Sequence, residues 1–219
     1  MYMYTHQGNS YYCMQPTHQM SFIRILHASP NAPAVDIYAN GNIIATELAY
    51  KQLTNYLPIM PGSYNIQVYP TGEHTNPVIN TTLTVPQNSA FTVAAIGKLS
   101  EISLLPIPEI YMSQLPMGMT DKSYVRFVHL SPNAPAVDIT LPDGTKIFEN
   151  VPYKQYTDYI VVNPGNYTLQ VRPAGSNQVV LSIPNVSLLP GMIYSVYAVG
   201  LVGDKPPLET IISVDGNYQ

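Results

Sequence analysis

The sequence predicts an all-β protein: two tandem immunoglobulin-like (fibronectin-like) β-sandwich domains. Three observations carry that expectation. The stretch HASPNAPAVDI at 27–37 returns as HLSPNAPAVDI at 129–139, with ten of eleven positions the same. Within each copy, short strand-like runs are broken by turn signals about every 8–12 residues, the spacing of a sandwich. The composition, 21 Pro and 18 Tyr in 219 residues, disfavours long helices. Pro removes a backbone donor and clashes with the preceding turn, whereas Tyr, Val, Ile and Thr suit a pleated surface.

The elements follow in order. Phe22 to His27 is a short strand, closed by the turn Ser29-Pro30-Asn31-Ala32-Pro33. Val35 to Ala39 alternates apolar and polar, then meets Asn40-Gly41, a strong hairpin signal. Ile43 to Leu48 returns, Thr54 to Ile59 follows, and Pro61-Gly62 turns the chain. Ser63 to Tyr69 and Val78 to Val85 alternate, Ala90 to Ile96 is continuously apolar, and Ile102 to Leu105 closes the module. The second module repeats the pattern, with Asp143-Gly144 as the matching hairpin turn. No helical segments alternate with these strands, which excludes a βαβ arrangement.

The repeat continues beyond the corner peptide. Tyr50-Lys51-Gln52, Thr54 and Tyr56 return as Tyr153-Lys154-Gln155, Thr157 and Tyr159, and Phe91 to Gly97 matches Tyr194 to Gly200. A period of about 100 residues is a domain, not a solenoid repeat. The expected boundaries are an arm at 1–20, modules at 21–105 and 123–219, and a linker at 106–122. The arm holds four Tyr, four Met and the single Cys13, with no Lys, Arg, Asp or Glu.

Charge narrows the function classes. Only 10% of residues are charged, against about 25% in ordinary soluble domains. Such a surface repels its neighbours weakly, so self-association or attachment to surface-layer proteins is expected. The net charge is −4 and the nine Lys and Arg are scattered, so no nucleic-acid partner is expected. No apolar run approaches the ~20 residues of a membrane span. The N-terminus lacks the basic and apolar regions of a secretory signal, so synthesis in the cytoplasm is expected. Asn80, Asn166 and Asn185 open N-x-S/T triplets, a pattern common by chance.

The corner peptides hold His27, Ser29, Asn31 and Asp36, and again His129, Ser131, Asn133 and Asp138. These are hydrolase residue types, but Ser29 sits in a turn before Pro30, with neither a nucleophile elbow nor an oxyanion glycine run. They are read as structural: Ser and Asn as turn formers, and His27 with Asp36 as a His–carboxylate contact pinning the corner. No catalytic residue is assigned, and neither metal nor cofactor is expected, since a metal site needs several converging ligands. Tyr50, Lys51, Tyr56, Tyr153, Lys154 and Tyr159 form a candidate binding surface for glycan or peptide, or pack at a sheet edge with hydroxyls in water. Arg24 and Arg126 are placed on a strand's solvent face or in pairs with Asp. Cys13 is the candidate for cross-linking, and the arm for strand addition to a neighbour.

With H-x-S-P-N-A-P-A-V-D-I followed by Y-K-x-x-T-x-Y and P-G-x-Y in both modules, the chain resembles a bacterial family called domain of unknown function 4397, over about 190 of its 219 residues. The resemblance implies tandem β-sandwiches at the cell surface or envelope and no catalytic residues. Many relatives carry a secretion signal. The polar Tyr-rich arm without one is similar to coat proteins of spore-forming Firmicutes. The resulting expectation is a non-catalytic structural or interaction protein of a bacterial cell or spore surface, with a carbohydrate- or peptide-binding module as the alternative.

Overall fold

The computed structural model describes residues 20–110 and 120–218. The first module consists of β1 (Ser21–His27), β2 (Val35–Ala39), β3 (Asn42–Leu48), β4 (Leu57–Ile59), β5 (Gly62–Pro70), β6 (Ile79–Val85), β7 (Ala90–Ile96) and β8 (Ser103–Glu109). Its two sheets run β4-β1-β7-β8 and β3-β2-β5-β6. The second module repeats this with β9 (Ser123–His129), β10 (Val137–Thr140), β11 (Lys146–Val151), β12 (Ile160–Val162), β13 (Gly165–Pro173), β14 (Leu181–Leu188), β15 (Ile193–Val199) and β16 (Glu209–Asp215). Its sheets run β12-β9-β15-β16 and β11-β10-β13-β14. The expectation of two all-β sandwiches is met.

Local chemistry explains most boundaries. Asn40 and Gly41 both have positive φ, 49° and 79°, as a two-residue hairpin with right-twisted strands requires. The Asp143-Gly144 hairpin is built differently: the Asp143 carboxylate accepts from Thr145 N at 2.9 Å, and Leu141 and Thr145 bond across the loop. The strand read at 54–59 shortens to β4, because Thr54 is held to the Ile25 backbone through both its amide and its hydroxyl. The last strand of the first module is longer than expected. β8 runs on through Glu109, inside the stretch read as linker, because Leu104 to Glu109 stay in register with Ala95 to Ala90 of β7. Residues 111–119 of that stretch lie outside the described residues.

Strand order is set by tertiary packing. β1 lies parallel to β7 and β9 parallel to β15, pairings between strands at opposite ends of each module. These four central strands are buried along almost their whole length. One face of each contributes to its own module's core: Ile23, Ile25 and Val93 in the first, Val125, Phe127 and Val196 in the second. The other face builds a third core between the modules, joining Leu26, Ala94, Ile96 and Ile107 to Val128, Leu130, Tyr197 and Val199. Burial on both faces is why these runs are continuously apolar where other strands alternate. The modules therefore meet along a hydrophobic seam, sheet against sheet.

Candidate functional site

The recurring residues converge on two structures, the corners and the seam. At each corner the chain crosses from one sheet of its sandwich to the other. His27 Nε2 donates to the Pro33 carbonyl at 3.0 Å, and His129 Nε2 to the Pro135 carbonyl at 3.0 Å, each bridging the two prolines' loop. Ser29 Oγ donates to the Gly97 carbonyl at 2.6 Å, and Ser131 Oγ to that of Gly200 at 2.7 Å. Asp36 accepts from Glu47 N and Gly72 N, and Asp138 from Asn150 N and Gly175 N. Those backbone donors hold the Asp36 carboxyl below its ordinary pKa. Asp138 is held low as well: burial pushes its pKa up, but the same kind of amide bonds and Lys146 outweigh it. The expected His–carboxylate contact is replaced by these separate bonds. β1 and β2 belong to opposite sheets, so His27 and Asp36 serve different loops.

The asparagines act at longer range. Asn133 brackets Val202, accepting from its amide at 2.8 Å and donating to its carbonyl at 3.0 Å. Asn31 reaches across to the other module and donates to the Lys205 carbonyl at 2.8 Å.

The Y-K-Q-x-T-x-Y segment runs beside the first strand of its module. Lys51 N donates to the His27 carbonyl at 2.7 Å and Lys154 N to that of His129 at 2.9 Å; both lysines have φ 71°. Thr54 and Thr157 then zip the segment to Ile25 and Phe127. This path brings the tyrosines to the seam instead of to an open face. Tyr50 and Tyr153 pack against the seam core, their ring centroids 6.2 Å from His27 and His129. Lys51 pairs with Glu209 of the other module at 2.9 Å.

Tyr56 and Tyr159 enter a buried polar cluster. In the first module Arg24 Nε donates to Thr92 Oγ1 at 2.8 Å, Thr92 and Tyr56 donate to Glu109, and Arg24 lies 4.7 Å over the Tyr56 ring. In the second, Arg126 Nε donates to Ser195 Oγ at 2.7 Å, Ser195 and Tyr159 donate to Asp215, and Arg126 lies 4.5 Å over the Tyr159 ring. The halves interlock: Arg24 Nη1 donates to the Val214 carbonyl at 2.8 Å, and Arg126 Nη1 to the carbonyl of Pro108. Arg24 also pairs with Glu109 at 3.1 Å and with Asp215 of the other module. Tyr197 O–H reaches Thr92 at 3.3 Å. Two guanidiniums thus face two carboxylates, all at most 7% exposed.

Burial, then the neighbouring carboxylate of Asp215, lifts the Glu109 pKa above its ordinary range. Burial would lower the Arg24 pKa, but Tyr197, Glu109 and Asp215 around it outweigh that and hold it above its ordinary value. Burial, and then Glu109 and Asp215 respectively, push the Tyr56 and Tyr159 phenols upward, so both remain donors. Among the described residues, no group of three or more His, Cys, Asp or Glu is placed to hold a metal ion.

The family model for a domain of unknown function, DUF4397, matches residues 21–140 and 123–217. The chain belongs to the DUF4397 family. The two DUF4397 segments together span the strands of both sandwiches. No curated protein matches the chain. Three similar solved structures are distant. The C-terminal domain of AlgF from P. aeruginosa is 21% identical, covering 43% of this chain and 98% of that one, with a TM-score of 0.34. The carbohydrate-binding module CBMbc (family CBM26) from Eubacterium rectale Amy13K, solved with maltoheptaose, is 15% identical, covering 89% and 96%, with a TM-score of 0.28. The Bacillus anthracis TIE protein is 11% identical, covering 84% of this chain and 33% of that one, with a TM-score of 0.26.

In this DUF4397 chain neither arginine stands on a solvent face; both pair with Asp215, as the second reading of the sequence expected, within a cluster shared by both modules. Sequence reasoning missed its acids, Glu109 and Asp215. A signal existed in the repeat: Arg24 and Arg126 interrupt apolar strands at equivalent positions, and Thr92 and Ser195 interrupt the paired strands directly opposite them. Cys13 lies outside the described residues.

Proposed function

We propose that this protein is a non-catalytic structural or interaction component of a bacterial cell or spore surface, working by self-association. The observation that supports this best is where the recurring polar side chains go. His27, Ser29, Asn31, Asp36 and their counterparts bond backbone carbonyls and amides, and the arginine–carboxylate cluster couples the modules into one body. The chemistry that recurs therefore serves rigidity. Exposed strand positions include many uncharged polar residues, such as Asn80, Thr82 and Thr84 of β6, which hydrate well and repel weakly. Among the described residues no helix is long and apolar enough to cross a membrane.

The glycan- or peptide-binding alternative relies on Tyr50, Tyr56, Tyr153 and Tyr159 as stacking platforms. Their places at the seam remove that platform, and a glycan array with a strong specific hit would restore the reading. The test of self-association is the mass of the full chain in solution across concentration, beside a chain lacking residues 1–20. Concentration-dependent oligomers support the proposal; a monomer at every concentration rejects it. Fractionation of the producing cell through growth and sporulation tests the location.

A further inference from the structure

Among the described residues the two modules have four sheets and hence eight edge strands. Exposed edges are templates for pairing with another chain, and proteins blunt them with proline, charge, bulges or short length. Seven of the eight are blunted. β4 and β12 are three residues long. β8 carries Pro106 and Pro108. β14 carries Pro184 and pairs with β13 through a register shift. β3 carries Glu47 and is bulged. β11 carries Lys146 and Glu149 and is bulged, and β16 carries Glu209 and Asp215.

β6 has none of these devices. Its sequence, INTTLTV, lacks proline and charge, and it pairs with β5 in unbroken register from Gly62↔Val85 to Val68↔Ile79. Asn80, Thr81, Thr82 and Thr84 are exposed along it. The contrast with β14, the equivalent strand of the second module, makes this a feature of one module only.

We infer that β6 is a docking edge whose partner is β6 of a second copy, the two pairing antiparallel about Thr82 to continue one sheet across both molecules. This rests on the self-association proposed above and assigns its surface. The strand is self-complementary in that register. Thr82 meets Thr82 and Asn80 meets Thr84 on the outer face, Thr–Thr and hydrogen-bonding pairs that stabilise cross-strand contacts. Ile79 meets Val85 on the inner face. No like charges oppose each other, because β6 carries none. A two-fold contact of this kind closes as a dimer.

The experiment is sedimentation of the full chain as wild type, Thr82→Lys, Thr82→Glu, an equimolar mixture of the two variants, and Ser187→Lys on β14 as control, beside the wild-type chain lacking residues 1–20. Circular dichroism confirms that each variant is folded. Either Thr82 variant alone should raise the dimer dissociation constant about tenfold or more, because like charges then sit directly opposite. The mixture should restore dimerisation, and Ser187→Lys should leave it unchanged. A dimer insensitive to both Thr82 variants overturns the β6 edge while leaving self-association standing. Loss of the dimer only on removing residues 1–20 assigns the contact to the arm and also overturns it. A wild-type monomer at every concentration rejects the underlying self-association as well.

Discussion

Arg24, on the first strand of the first module, donates to the backbone carbonyl of Val214, on the last strand of the second, at 2.8 Å. Arg126 answers with the carbonyl of Pro108. The exchange has the reciprocity of an isologous contact, in which the same patch of two copies meets itself. At these two arginines the seam thus has approximate two-fold symmetry within one chain, duplicated residues acting in both directions.

Removing Arg24 should unfasten this contact. Arg24→Ala leaves Glu109 and Asp215 buried with one guanidinium fewer, and breaking one partner of a buried pair costs about 3–5 kcal/mol. Urea unfolding should show that loss. A cost under about 1 kcal/mol would mean that water reaches the cluster and the seam is looser than described.

Acid should weaken the protein through its corner histidines. His27 and His129 are wholly buried, and burial, opposed only in part by their carbonyl partners, lowers both pKa values from the ordinary 6.5. The unfolded chain then binds more protons than the folded one as pH falls below 6.5, so stability is lost from there down to the lowered folded values. Each unit of separation is worth about 1.4 kcal/mol. Glu109 acts with the opposite sign, its raised folded pKa favouring the fold as pH falls, so the comparison must be with a variant. Denaturant midpoints of the His27→Gln, His129→Gln double variant should fall less steeply with acid than those of wild type. Parallel curves would clear the histidines.

Ser29→Ala and Ser131→Ala remove the donors to the Gly97 and Gly200 carbonyls. Leaving a buried acceptor unmatched costs about 1–3 kcal/mol, and each variant should lose stability in that range by thermal or chemical unfolding. Cysteine at either site, a weaker donor of similar size, should recover part of the loss. No change in either alanine variant would show that the serines do not hold the corner.

Two glycines with similar backbones should respond differently. Gly41 and Gly200 have φ 79° and 86°, but a Cβ at Gly41 meets nothing within 4 Å, whereas at Gly200 it would lie 2.0 Å from the Pro207 carbonyl oxygen. Gly41→Ala should cost about 1–2 kcal/mol of left-handed strain, and Gly200→Ala about 1–3 kcal/mol more, because the backbone must move. Equal midpoints for the two variants would contradict the close approach at Gly200.

What is local or duplicated was legible in the residues alone. Alternation, Asn40-Gly41, Pro61-Gly62 and the returning corner peptide were enough to state two all-β sandwiches, because hydrophobic period and turn chemistry act over a few residues. The corner residues were legible as turn formers for the same reason, though not their partners: Gly97 and Lys205 lie far along the chain from Ser29 and Asn31. Three features came only with the packed fold. β1 lies parallel to β7, β8 continues past the expected linker boundary to Glu109, and Tyr56 and Tyr159 turn inward. Each of these depends on which apolar surfaces meet. Leu105 and Ile107 gain their places from β7 beside them and from the facing module, and a charge such as Arg24 finds its acid only once two distant strands are packed together.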